Sequence, residues 1–153
     1  MIPPELSTFL IAMSPVFELR GAIPVAIGLY GLPVWSAYFF AVMGNLVPSL
    51  SIPLIGFLSN WLSHRFSFFD RFFTWLFART RSQHAKKFER YKDFALILFV
   101  AIPLPFTGVW TASLAAFVFG IPFRRAFPLI TIGVIIAGII VTLLTLGVLQ
   151  IGL

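Results

Sequence analysis

Three long stretches of the chain hold no charge at all. Gly21 to His64 runs 44 positions without Asp, Glu, Lys or Arg, Phe94 to Phe123 runs 30, and Ala126 to Leu153 runs 28. About 20 apolar residues suffice to cross a bilayer as a helix. A soluble domain charges about a quarter of its residues; here the charged share is 10% and the hydrophobic share 59%. That leaves too little polar surface to cover a globule in water. The sequence is read as an all-α integral membrane protein, one membrane domain over 1–153.

Several function classes drop out. There is no cysteine, so thiolate metal sites, disulfides and thiol nucleophiles are absent. His64 and His84 stand 20 positions apart outside the apolar stretches, which gives neither a metal-ligand spacing nor a Ser-His-Asp order. No Walker or dinucleotide glycine pattern occurs. No enzyme activity, metal or cofactor is expected beyond coupling to protons. Met1-Ile2-Pro3-Pro4-Glu5 lacks the basic leader of a secretory signal peptide. The net charge of +6 is concentrated: eight of the eleven basic residues lie between Arg65 and Lys92. A short basic loop in a membrane protein marks the cytoplasmic side, so the charge is read as topology and no nucleic-acid partner is expected.

The apolar stretches break in a regular way. Leu6 to Phe17 is too short to cross at 1.5 Å per residue. It runs into Pro15 and then Glu18-Leu19-Arg20-Gly21-Ala22-Ile23-Pro24, and a second short piece, Val25 to Leu32, ends at Gly31-Leu32-Pro33. Two half-length pieces around a polar, helix-breaking centre predict a re-entrant hairpin. Val34 to Leu62 is long enough to cross, with kinks expected at Pro48 and Pro53. Phe69, Phe72, Phe73, Leu76 and Phe77 then form the apolar stripe of an interfacial amphipathic helix, and Ser82 to Asp93 continues as a basic connection. From Phe94 the earlier pattern returns: Phe94 to Ile102, a break at Pro103-Leu104-Pro105-Phe106-Thr107-Gly108, Val109 to Phe119, Gly120-Ile121-Pro122, and a crossing from Ala126 to Gln150. The organisation is repeat 5–62, linker 63–93 and repeat 94–153.

The two halves align at an offset of 89 residues. Gly31 and Pro33 fall on Gly120 and Pro122, Ala37 on Ala126, and Gly44 on Gly133. A hairpin returns to its own side, so each half crosses once and the second half starts opposite the first. The expected architecture is an inverted repeat with the linker in the cytoplasm and both termini outside. Arg124 and Arg125 then fall inside, as positive-inside bias requires. Inverted repeats with broken, membrane-buried segments build transporters with a site near the midplane.

Glu18 and Arg20 are the charged residues expected within the hydrocarbon, where each costs a few kcal/mol or more. Glu18 is a candidate proton carrier, and Arg20 a candidate holder of an anionic head group or carboxylate. The plainer alternative is a structural ion pair, which at i and i+2 requires the chain to be unwound. The second break must be buried in protein or line a cavity. With Pro24, it brings Pro103, Pro105, Thr107, Gly108, Trp110 and Thr111 to the candidate site, although the threonines are equally suited to satisfying broken backbone. Asn45, in mid-span, suits interhelical hydrogen bonding or substrate contact.

Glu18-Leu19-Arg20-Gly21-Ala22-Ile23-Pro24, then Gly44-Asn45, then Ala101-Ile102-Pro103-Leu104-Pro105-x-Thr107-Gly108-x-Trp110-Thr111 resemble the bacterial small multidrug export protein family over nearly the whole chain. Phe106 and Ala112 depart from it, standing where glycine is common. The paired hairpins resemble, more distantly, the DedA/SNARE-associated superfamily, implicated in lipid transport. The resemblance implies a multi-pass protein of the bacterial plasma (inner) membrane, with Glu18 and Arg20 as its functional acidic and basic residues. A second-hairpin arginine pair is missing, since Arg124 and Arg125 come too late. The expected function is a secondary transporter, coupled to protons through Glu18, moving a small molecule or lipid and working as a homodimer in the lipid bilayer. The alternatives are a lipid flippase or scramblase, and a non-transport scaffold or assembly factor.

Overall fold

A computed structural model describes residues 2–65, 71, 74–75, 85–103 and 107–151, and among them every regular element is a helix. In chain order these are α1 (Pro4–Met13), α2 (Glu18–Gly28), α3 (Val34–Leu46), a 3-10 turn (Val47–Leu50), α4 (Ser51–Arg65), α5 (Ala85–Ala101), α6 (Val109–Val118) and α7 (Phe123–Ile151). Two segments are long and apolar enough to cross a membrane: Val34–Leu58 and Phe123–Ile151. Pro48 falls in the 3-10 turn, where the kink was expected, and Pro53 lies in the first turn of α4, where a missing N–H is tolerated. The amphipathic stripe Phe69, Phe72, Phe73, Leu76 and Phe77 lies outside the described residues.

α7 shows why this is a membrane protein. Its buried face includes Ala126, Gly133, Ala137, Gly138, Thr142 and Thr145, while Ile132, Ile135, Ile139, Leu143, Leu144 and Val148 point outward. Ile130, Val134 and Val141 are buried too, so the helix is apolar on every side, as a membrane span is, and the small residues on its inner face let backbones approach closely. Thr142 and Thr145 donate back to the carbonyls of Gly138 (2.7 Å) and Val141 (2.8 Å), so their hydroxyls are satisfied without water.

The two halves share local construction. α3 starts at residue 34 and α7 at 123, the 89-residue offset. Each is preceded by a glycine in the left-handed region, Gly31 (φ +64°) and Gly120 (φ +66°), where a side chain would be strained. Pro33 and Pro122 then offer their carbonyls to the first helical N–H groups, Ser36 and Ala37 in one case and Arg125 and Ala126 in the other. α1 packs along α3 and α5 along α7. A Cβ on Gly44 would run into the backbone of Phe9, and one on Gly133 would sit 2.6 Å from Val100 Cβ. Matching glycines therefore set both close approaches.

One boundary differs from the sequence reading. The first break is Ser14–Phe17, not Glu18–Pro24, and Gly21 and Pro24 lie inside α2. Ser14 ends α1: its Oγ donates to the Ile11 carbonyl (2.8 Å) and accepts from the Phe17 N–H (3.3 Å), and Pro15 cannot extend the helix. α2 survives its glycine and proline because Ala22, Ile23 and Ala26 are fully buried and Gly21 leaves room for the Phe17 side chain. α5 runs unbroken from the basic connection into the second apolar stretch. Arg125 clamps Asp93 there with Nε at 2.9 Å and Nη2 at 2.6 Å, fixing the start of α7 beside the end of the linker.

Candidate functional site

The site forms where the two helix breaks meet. Glu18 opens α2 with φ +47°, the one non-glycine residue with positive φ among those described. A carboxylate-bearing side chain in that region costs about 1–3 kcal/mol and persists only when the surroundings hold it. The unwound backbone brings Glu18 and Arg20 onto one side, as a direct i, i+2 pair requires. Arg20 Nη2 lies 3.4 Å from Glu18 Oε2 and also donates to the backbone carbonyl of Thr107, across the second break. The Glu18 side chain is 9% exposed and that of Arg20 29%.

The second break completes the environment of the carboxylate. Gly108 immediately precedes α6 and lies against the Glu18 carboxylate, which places the acid at the start of that helix. A Cβ on Gly108 would occupy the space of the Glu18 carboxylate oxygens. With φ 176° its backbone is extended, so glycine is needed there for room rather than for conformation. The acid thus sits between a guanidinium and the positive end of a helix, an arrangement that stabilises negative charge.

Asn45, from α3, faces the same point. It is 2% exposed, and its Oδ1 is buried without a hydrogen-bond partner. Glu18, Arg20, Asn45, Pro103, Thr107 and Gly108 line a cavity of about 10 Å³ closed by Leu19, Val100, Ala137 and Val141, room for about one water. Arg20 and Pro103 also border a groove of about 360 Å³, whose wall is otherwise Pro24, Thr145 and the aliphatic side chains of Val141, Leu144, Val148 and Leu149. Pro24 lacks the N–H that would bond the Arg20 carbonyl within α2.

The other candidates hold the backbone together. The Thr107 hydroxyl donates to the Ile102 carbonyl (2.9 Å), closing the end of α5. Thr111 Oγ1 accepts from the Gly108 N–H (3.1 Å) at the start of α6. The Trp110 indole donates to the Met13 carbonyl (3.0 Å), tying the last turn of α1 to α6. Pro105 lies outside the described residues. The sequence reading missed the apolar wall, which no local pattern announces, and the contact between Glu18 and Gly108. No three His, Cys, Asp or Glu side chains converge among the described residues.

Residues 18–140 match a protein-family model described as "Putative small multi-drug export protein". The match opens on Glu18, just after the first break, and takes in the second break, the first candidate span and the start of the second. No curated protein and no solved structure matches the chain.

Proposed function

The chain belongs to the small multi-drug export protein family, and from that premise we propose that it is a proton-coupled secondary transporter of the bacterial inner membrane. The observation that carries the reading is the pairing of the buried Glu18 with the partly buried Arg20, which meets the Thr107 carbonyl of the other break inside a mostly apolar bundle. A charge pair retained at such cost in hydrocarbon is a functional feature by default. Glu18 carries the proton, and Arg20 with the backbone of the second break receives the substrate.

In this reading each half is a re-entrant hairpin followed by one crossing. The halves are an inverted repeat, the linker is cytoplasmic, and both termini are outside. The matched glycine corners, the matched helix starts and the paired close approaches at Gly44 and Gly133 support duplication. The Asp93–Arg125 clamp supports placing Arg125 on the linker side. Two crossings make a thin wall around a cavity, which favours a homodimer.

A second reading, a lipid flippase or scramblase, is favoured by the apolar groove that reaches Arg20. Reconstitution in liposomes separates the two. A transporter gives substrate-triggered proton movement that Glu18→Gln abolishes. Lipid transfer without proton movement selects the second reading. Neither activity from folded protein rejects both, leaving a scaffold.

A further inference from the structure

Glu18 occupies a place built for an anion. Its carboxylate takes the Arg20 guanidinium and lies at the start of the ten-residue helix α6, in space that a side chain on Gly108 would fill. Beside it, the buried Asn45 Oδ1 accepts no hydrogen bond from any described residue. An unsatisfied buried acceptor costs about 1–3 kcal/mol, and a carboxylate cannot relieve it, having no proton to give. A protonated Glu18 has one. Among the described residues no other ionisable group lines this cavity; its remaining walls are Pro103, Thr107, Gly108 and aliphatic side chains.

We infer that Glu18 is a built-in stand-in for an anionic, amphipathic substrate: once protonated it turns to donate to Asn45 Oδ1, and the substrate's oxyanion takes its place on Arg20 at the start of α6. The balance is one proton gained by Glu18 for one negative charge received by Arg20. The substrate's apolar body lies in the groove of about 360 Å³ that Arg20 borders, the one charged residue among the described lining, which complements the head. The left-handed backbone at Glu18 favours departure once the carboxylate loses its partners. A cationic substrate would face Arg20 and is disfavoured. The inference rests on the transporter reading and adds to it the charge and shape class of the substrate.

The test uses the full chain in nanodiscs with three permanently charged or short probes: a dansyl-labelled alkyl sulfonate, the quaternary ammonium of the same length, and methanesulfonate. Binding is read as tryptophan-to-dansyl energy transfer above that of empty nanodiscs, with methanesulfonate scored by competition. The sulfonate should bind about tenfold more weakly per unit rise in pH while Glu18 is ionised, with about one proton taken up per probe bound, by linkage. The ammonium should not compete, and methanesulfonate only weakly. Glu18→Gln should bind the sulfonate with no pH slope, Asn45→Leu should move the pH curve of binding downward, and Arg20→Ala should weaken binding about ten- to hundredfold. Equal binding of the ammonium, or a wild-type affinity independent of pH without proton uptake, overturns the inference whatever the variants do. Binding as expected without flux in liposomes would reject transport and leave the anion site standing.

Discussion

Gly108→Ala tests the closest contact in the site. The added methyl falls on the Glu18 carboxylate, which must leave Arg20 and the start of α6. The bond to the guanidinium is worth about 1.5–3 kcal/mol and the place at the helix N-terminus up to about 2 kcal/mol more, so about 2–5 kcal/mol is lost. Releasing the left-handed backbone at Glu18 returns about 1–3 kcal/mol. The expected net loss is about 2 kcal/mol, measured by far-UV ellipticity during SDS unfolding from mixed micelles. Glu18→Ala in the same chain removes the carboxylate that the methyl strikes. In that background Gly108→Ala should cost under about 1 kcal/mol, the ordinary difference between glycine and alanine before a helix. The coupling between the two positions should therefore reach about 1 kcal/mol or more. Additive losses, with coupling under about 0.5 kcal/mol as for independent sites, would refute the placement of Glu18 against α6.

Glu18→Gln and Arg20→Ala should express and elute like the parent yet lose substrate-driven proton flux; unchanged flux in both, with normal expression, would end the role given to the pair. Gly133→Val should cost about 2–4 kcal/mol through overpacking against Val100 and the Ile97 carbonyl. Gly147→Ala, on the same helix with nothing within 4 Å, should be neutral or gain up to about 1 kcal/mol from helix propensity. Reporter fusions should place the C-terminus outside and residue 82 in the cytoplasm; a cytoplasmic C-terminus would refute the inverted arrangement.

Where local chemistry decides, the sequence was readable. A glycine two residues before a proline made the corners at Gly31 and Gly120 visible, since the first supplies the left-handed turn and the second starts the helix. The break after Ala101 was equally plain, because Pro103 ends α5 and Thr107 closes it. The first break was misplaced by a few residues because Gly21 and Pro24 were weighed as local breakers. Buried packing through Ala22, Ile23 and Ala26 overrode both. Of the site, the pairing of Glu18 with Arg20 was legible as two charges that hydrocarbon cannot leave alone. That Asn45 would face them with an idle oxygen depended on how α1 and α3 pack, and no spacing encodes it. Trp110 and Thr111 sat in the right motif, yet their side chains hold carbonyls and caps rather than the cavity.

The backbone at Glu18 has an evolutionary consequence. A position with φ +47° admits glycine most readily, asparagine and aspartate next, and branched residues hardly at all. Geometry therefore screens the mutations this position can sample before their chemistry is tested. Drift away from the acid should pass through Gly or Asn, and relatives that have lost proton handling should carry those residues more often than Gln. The same screen gives the experimenter a control: Gln keeps the strain and removes the charge, whereas Asn removes both.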